Sequence, residues 1–135
     1  MRFDYALLAD FAQVINAKLY VQGGGLTRIT ALTLPFGVPV AIAMRLEAEP
    51  DIDLSRESQF EVVVVGPDGE TIFSHQTPVT LERPQAIVEE GERPGVFIAL
   101  TLSALVMRSY GPHRIDLTFD DARTEMHFAV VRPPD

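Results

Sequence analysis

The sequence predicts an all-β protein, an antiparallel β-sandwich of about eight strands that forms one domain over residues 1–135. Several stretches alternate apolar and polar side chains, which is typical of strands with one buried face. Glycine, proline, asparagine and aspartate residues separate these stretches at the spacing that sandwiches show. No stretch has the apolar period of a helix. An immunoglobulin-like strand order is one form that this sandwich could take.

Length and composition indicate a folded domain that needs no covalent staples. The chain has 135 residues, of which 47% are hydrophobic, and this is enough to bury a sizeable core. It has no cysteine, which excludes disulfides, thiolate metal sites and a cysteine nucleophile. This composition fits a reducing compartment.

Charge and hydropathy exclude several classes of partner. The formal net charge is -8 and the arginines form no basic stripe, so nucleic acid is not an expected partner. No apolar run reaches the roughly 20 residues that span a bilayer. Asp4 and Asp10 interrupt the apolar segment that a secretory signal needs. The sequence therefore predicts a cytoplasmic protein without a membrane partner.

The first hairpin is predicted within residues 4–29, with a two-residue turn at Asn16-Ala17. The register set by this turn gives one apolar face, made of Ala12, Val14, Leu19 and Val21. A type I′ turn needs positive φ at both central residues, where Ala17 meets a steric cost of about 1 kcal/mol. A turn of another type therefore stays open.

Three consecutive glycines, Gly23 to Gly25, follow this hairpin and allow two interpretations. A phosphate-binding loop requires a helix directly after the glycines. The residues that follow are rich in β-branched side chains and end at Pro35, which favours a strand. We interpret the glycines as a bulge or a sharp bend between two strands.

The motifs DYALLADFA, KLYV and the glycine run leading into LTRI resemble the N-terminal signature of an uncharacterised bacterial family of small proteins, a domain of unknown function. The resemblance extends over the full length, because a Pro-Asp-Gly hairpin and a closing strand pair fit the same pattern. The chain differs at Ala17, where the pattern leads us to expect glycine, and at Leu26, where we expect tryptophan. The resemblance implies a β-sandwich and no catalytic or binding residues.

Further strands are predicted in the middle of the chain. The stretch 38–48 has one large apolar face and one small face that turns polar. Residues 59–75 form a hairpin around the turn 66–69, whose proline and glycine suit a turn with a bulge. Residues 97–107 are predicted to form the longest strand.

The last hairpin is predicted to turn at Asp121-Ala122, between a strand that ends at Phe119 and one that begins at Thr124. The inward side chains are then Ile115, Leu117, Phe119, Met126 and Phe128. This register puts Asp116 opposite His127 on the outward face. The pair is either an exposed cross-strand ion pair or the start of a catalytic or metal arrangement, and we favour the ion pair.

Other chemistry is not supported by the residue pattern. The three histidines, His75, His113 and His127, lack the spacing of zinc ligands, and no Gly-x-Ser-x-Gly motif occurs. Carboxylates such as Asp51 and Asp68 lie at opposite ends of a predicted strand, roughly 20 Å apart, so they cannot share a calcium ion. The sequence predicts no catalytic, cofactor-binding or metal-binding residue, and no enzyme.

Four consecutive valines, Val62 to Val65, must send two side chains to each face of a sheet. Val63 and Val65 then point away from the core. Phe73 on the partner strand extends the patch if a one-residue bulge at Gly69 turns it to this face. We predict that these three residues form an interface, in a two-fold dimer. The alternative is that the loop 82–95, with an edge segment at 86–88, folds over the patch within one chain.

Two classes of function follow from these observations. The first is a non-catalytic interaction or assembly module that associates with itself as a homodimer. The second is a domain that binds a small ligand or an ion with the loops at one end of the sandwich. An enzyme is the third and weakest class.

Overall fold

The computed structural model describes residues 1–49, 55–82 and 89–135. These residues form strands and turns, and the all-β prediction is confirmed, although the described residues form twelve strands rather than about eight. The strands are β1 (Arg2–Ala9), β2 (Phe11–Ile15), β3 (Lys18–Gln22), β4 (Arg28–Thr30), β5 (Phe36–Gly37), β6 (Val40–Glu47), β7 (Glu57–Val65), β8 (Thr71–Thr80), β9 (Gly95–Leu102), β10 (Val106–Met107), β11 (Gly111–Phe119) and β12 (Ala122–Val131). None of the described residues lies in a helix that could cross a membrane.

Two sheets make the sandwich. One has five strands in the order β4-β12-β11-β7-β8, and the other has three in the order β1-β6-β9. All neighbours in both sheets are antiparallel except β4, which runs parallel to β12. Two small sheets, β2-β3 and β5-β10, complete the described part of the chain.

The core lies between the two sheets and is built from alternate residues of each strand. On β6 the inward side chains are Val40, Ile42, Met44 and Leu46, and all four are buried. The facing sheet contributes Phe60, Val62, Val64, Ile115, Leu117, Phe119, Met126, Phe128 and Val130. Because strand side chains alternate with period two, every second residue along these strands is apolar and lies in the same core cluster.

Irregular positions explain part of the higher strand count. The predicted strand 97–107 is wrong, because a turn at Ser103-Ala104 divides it into β9 and β10. After this turn the buried side chains are Leu105 and Met107. The predicted edge segment 86–88 lies outside the described residues. The turn 66–69 is present, with φ of 84° at Gly69.

The last hairpin has the predicted faces but a different register. Phe119 pairs with Ala122, so the turn is Asp120-Asp121 and the predicted pairing with Thr124 is wrong. The side chain of Asp120 accepts a hydrogen bond of 2.9 Å from the backbone N–H of Gln59, which ties the turn to β7. The predicted register is wrong by two residues. Because strand side chains alternate with period two, the set of inward side chains is unchanged.

The first hairpin has the predicted register, with Val14 opposite Leu19 and Ile15 opposite Lys18. Asn16 and Ala17 have φ values of 50° and 59°. Positive φ at both residues of a two-residue hairpin loop is the signature of a type I′ turn. The predicted turn is therefore confirmed, and Ala17 occupies a backbone conformation that an L-residue other than glycine adopts at a steric cost.

We expect Ala17→Gly to raise the free energy of unfolding by a few tenths to about 1 kcal/mol, because glycine removes the steric cost of positive φ. Part of this gain is offset by the larger entropy of glycine in the unfolded chain. Chemical denaturation of both proteins measures the difference. A clear loss of stability in the variant would contradict the assigned turn.

The β2-β3 hairpin forms a third layer on the outer side of the three-stranded sheet. Ala12 of the hairpin packs in a buried cluster with Ala9, Ala41 and Ala43. These side chains are single methyl groups, so the two backbones approach closely. The small face of the strand predicted at 38–48 is consequently covered as well. The hairpin does not cover the polar end of that face.

The glycine run brings the chain back from β3 to the edge of β1. The N–H groups of Gly25 and Leu26 both donate to the carbonyl oxygen of Leu8, at 2.8 and 3.0 Å. A Cβ atom at Gly24 would lie 2.9 Å from Cγ1 of Val21, so only glycine fits without a shift. The interpretation as a bend is confirmed, since β4 and no helix follows.

Candidate interaction surface

Exposed apolar side chains are concentrated on the first three strands, β1 to β3. Of the seven large hydrophobic residues that are exposed in the described part of the chain, six lie between Tyr5 and Val21. The seventh, Leu32, is in a loop. Scattered exposed apolar residues are ordinary on protein surfaces, whereas a cluster indicates a binding surface.

The hairpin has two different faces because its paired residues point to the same side. Ala12, Val14, Leu19 and Val21 face the three-stranded sheet. The opposite face consists of Phe11, Gln13, Ile15, Lys18, Tyr20 and Gln22. Phe11, Ile15 and Tyr20 are exposed by 46%, 43% and 51%. We call this set of six residues the outward hairpin face.

A groove runs beside β3, where the hairpin ends and the sheet beneath it continues. It has a volume of about 470 Å³ and is lined by Tyr5, Leu7, Lys18, Leu19, Val21 and Phe97. In the sheet, Tyr5 pairs with Arg45 and Arg45 pairs with Phe97, so these three side chains lie in one row. The groove therefore has an aromatic residue at each side of its floor.

Charged residues gather on the next row of the same sheet face. The carboxylate of Glu47 lies 2.6 Å from Arg2, 3.5 Å from Arg93 and 3.7 Å from Arg45. Arg45 also lies 2.9 Å from Asp4. We call these five residues the Glu47 cluster. Burial acts to raise the pKa of Glu47, but the hydrogen bonds and charges of Arg2 and Arg93 outweigh it, so the pKa is lowered.

The structure brings together two of the three predicted interface residues. Val63 and Val65 lie on the outer face of the five-stranded sheet and are half-buried. Phe73 pairs with Val64, which is fully buried, so Phe73 lies on the inner face and packs against the core. A register shift between Val64 and Val65 causes this, because it places an extra residue in β8. The placement of Phe73 in the patch is therefore corrected.

The surroundings of Val63 are charged. A shallow groove of about 650 Å³ on this face is lined by Val63 with Glu61, Arg114, Asp116, Leu117, Thr118, Arg123, Thr124 and Glu125. Nε of Arg114 donates to Asp116 at 2.9 Å. Negative carboxylates and positive guanidinium groups are both exposed here, so this face is less apolar than the outward hairpin face. The interface role of Val63 and Val65 stays a prediction.

The predicted pair of Asp116 and His127 does not form. Asp116 lies opposite Glu125, and His127 lies opposite Arg114 with Nε2 at 3.3 Å from Glu125. His113 is buried and stacks on Phe128 with ring centroids 5.0 Å apart. Among the described residues, no group of three or more metal-ligating side chains converges. Asp51 lies outside those residues.

The outward hairpin face was not singled out by the sequence pattern, although a signal for it exists. In a half-buried hairpin one face is apolar and the other is polar. Here Phe11, Ile15 and Tyr20 interleave with the apolar residues of the inner face. Apolar residues on both faces of a strand pair are a sequence signal that both faces are covered, and the structure places the sheet against the inner one.

Comparison with protein families gives one result. The chain matches a family model described as Family of unknown function (DUF6941) over residues 4–131. The chain belongs to this family. The resemblance to a family without an assigned function is thus confirmed, while the bacterial origin and the N-terminal signature stay predictions. The chain matches no curated protein and no solved structure.

Proposed function

We propose that this member of the family is a non-catalytic interaction module that associates with itself through the outward hairpin face. The observation that supports the proposal is the exposure of three large apolar side chains, Phe11, Ile15 and Tyr20, on this one face of the hairpin. The predicted cytoplasmic location belongs to the same proposal. The patch formed by Val63 and Val65 is the alternative interface for the same function.

The charge distribution favours a second copy as the partner. The chain has a formal net charge of -8, so two copies repel each other over most surfaces. The hairpin from Phe11 to Gln22 contains no carboxylate, and Lys18 is its one charged residue. Lys18 lies at the turn end, so two hairpins that stack in opposite directions keep their lysines apart. Such a contact brings no two acidic groups together.

Single lysine substitutions distinguish the two faces. We expect wild-type protein to form a dimer and Tyr20→Lys to be a folded monomer, because the ammonium group would have to be desolvated in the contact. Val63→Lys should remain dimeric, as should Ser109→Lys, a control in an exposed bend. Sedimentation velocity at tens of micromolar protein measures the oligomeric state.

Two outcomes decide against the outward hairpin face. A monomer for Val63→Lys with a dimer for Tyr20→Lys would move the interface to the five-stranded sheet. A monomeric wild-type protein at tens of micromolar would end the proposal of self-association. Native mass spectrometry of freshly purified protein tests the small-ligand alternative, because it reports subunit number and any bound ligand together.

A further inference from the structure

We propose that the free edge of β3 and the groove beside it bind an extended peptide segment of a partner protein, which adds to the hairpin as a third strand. The segment carries apolar side chains at alternate positions and acidic side chains between them. This inference rests on the proposed interaction role, but it uses the edge of the hairpin rather than its outward face.

The backbone of β3 offers a template for an added strand. In a hairpin with a two-residue loop, the pairs Ile15–Lys18 and Gln13–Tyr20 exchange hydrogen bonds across the hairpin. The N–H and C=O groups of Leu19 and Val21 therefore point away from β2. Among the described residues, β3 pairs with β2 and with no other strand. An unpaired edge of this kind binds extended peptides through main-chain hydrogen bonds.

The groove gives this edge a side-chain specificity. A strand laid along β3 has every second side chain directed at the sheet below. There it meets Tyr5 and Phe97, which lie in one row with the stem of Arg45 between them. Apolar side chains at alternate positions of the peptide bury against these rings. The alternation is therefore part of the recognised chemistry.

Local charge favours acidic residues in the remaining positions. The Glu47 cluster has three arginines and two carboxylates, a net charge of +1. Among the described residues that line the groove, Lys18 is the charged one, and it forms no salt bridge with any described residue. The chain as a whole has a net charge of -8. This positive region in an acidic protein is complementary to an acidic segment.

The shape of the site favours a single segment over the hairpin of a second copy. Glu47 pairs with Arg2 and with Gly95, so the sheet continues one row beyond Tyr5 and Phe97. An added strand lies above this continuation. A second copy's β3 carries its own three-stranded sheet on its lower side. An isolated extended segment has no such layer.

Three labelled peptides test the inference by fluorescence anisotropy with the full chain. The first is a capped peptide of alternating valine and glutamate, the second replaces glutamate by lysine, and the third carries N-methyl groups on alternate residues of the first. We expect the first to bind, and the other two to bind at least about tenfold more weakly because charge complementarity or edge hydrogen bonds are lost.

Two matched variants locate the site. Leu19→Pro removes an N–H from the free edge of β3, and Val14→Pro removes one from the opposite edge of the hairpin, since these two residues face each other. Peptide binding should be lost in Leu19→Pro and kept in Val14→Pro and in Tyr20→Lys. Retention in Tyr20→Lys would separate this site from self-association.

Several results would overturn the inference. They are the absence of binding by the valine-glutamate peptide at millimolar concentration, equal binding of the N-methylated peptide, and equal binding by Leu19→Pro. If Leu19→Pro does not fold, the binding of the methylated and unmethylated peptides to wild-type protein still tests whether the peptide pairs with the edge of β3. A wild-type protein that is monomeric but still binds the valine-glutamate peptide would reject the proposed function alone.

Discussion

Leu117→Ala is expected to lower the free energy of unfolding by about 2–5 kcal/mol, the range for a leucine truncated in a packed core. Leu117 lies on the central part of β11 and is fully buried. It pairs with Val62 on one side and Thr124 on the other, so the cavity would open between three strands. Urea denaturation followed by circular dichroism measures this loss.

Asp116→Asn is the matched control on the neighbouring residue, whose side chain points outward. Its salt bridge with Arg114 is exposed, and exposed pairs contribute about 0–1 kcal/mol. The variant should therefore unfold close to the wild-type midpoint. A larger loss for Asp116→Asn than for Leu117→Ala would mean that the faces of β11 are exchanged.

Ala43→Leu should destabilise the protein by about 1–3 kcal/mol, the usual penalty for extra volume in a filled interior. Ala43 is fully buried beneath the hairpin in a cluster of four alanines. A leucine there has no space unless the hairpin lifts from the sheet. We expect faster amide hydrogen exchange in β2 and β3 and a weaker dimer, although the outward hairpin face is unchanged.

Ala104→Leu is the control for this substitution, because Ala104 is exposed in a turn and surface changes usually stay within about 0.5 kcal/mol. Equal stability of Ala43→Leu and wild-type protein would show that the hairpin is not seated on the alanine cluster. Loss of the dimer in Ala104→Leu as well would mean that displacement of the hairpin is not what weakens the dimer of Ala43→Leu.

Much of the fold could be predicted because its signals are local. Alternation in β6 and β11 set the inward faces, and the Asn16-Ala17 turn fixed the register of the first hairpin. The predicted register of the last hairpin was wrong by two residues. Its turn depends on Asp120, which takes a φ of 50° and accepts a hydrogen bond from the backbone of Gln59, a contact distant in sequence. Period-two patterns cannot detect such a shift.

Contacts between layers were the part that the sequence pattern could not supply. The alanines of β6 are consistent with an ordinary small face, and only the folded chain places Ala12 over them. Likewise, a register shift beside Val65 decides that Phe73 faces inward. The candidate site was missed for the same reason, because the outward hairpin face is defined by what the hairpin covers.

The proposed association through this face would also explain why a largely apolar hairpin lies on the outside of an acidic protein. Apolar side chains such as Phe11 and Tyr20 meet water in the single chain. Burying them in a contact removes apolar surface from water, which is the main favourable term in association. The outward hairpin face has six residues, far fewer than the roughly 20–30 on each side of a standard interface, so we expect a weak and reversible dimer.

The central claim is that the hairpin, and not the five-stranded sheet, carries the contact between copies. Amide hydrogen exchange of wild-type protein at low and at high protein concentration tests it directly. We expect slower exchange at high concentration in residues 11–22 and no change in residues 61–65. Slower exchange confined to residues 61–65, with residues 11–22 unchanged, would contradict it.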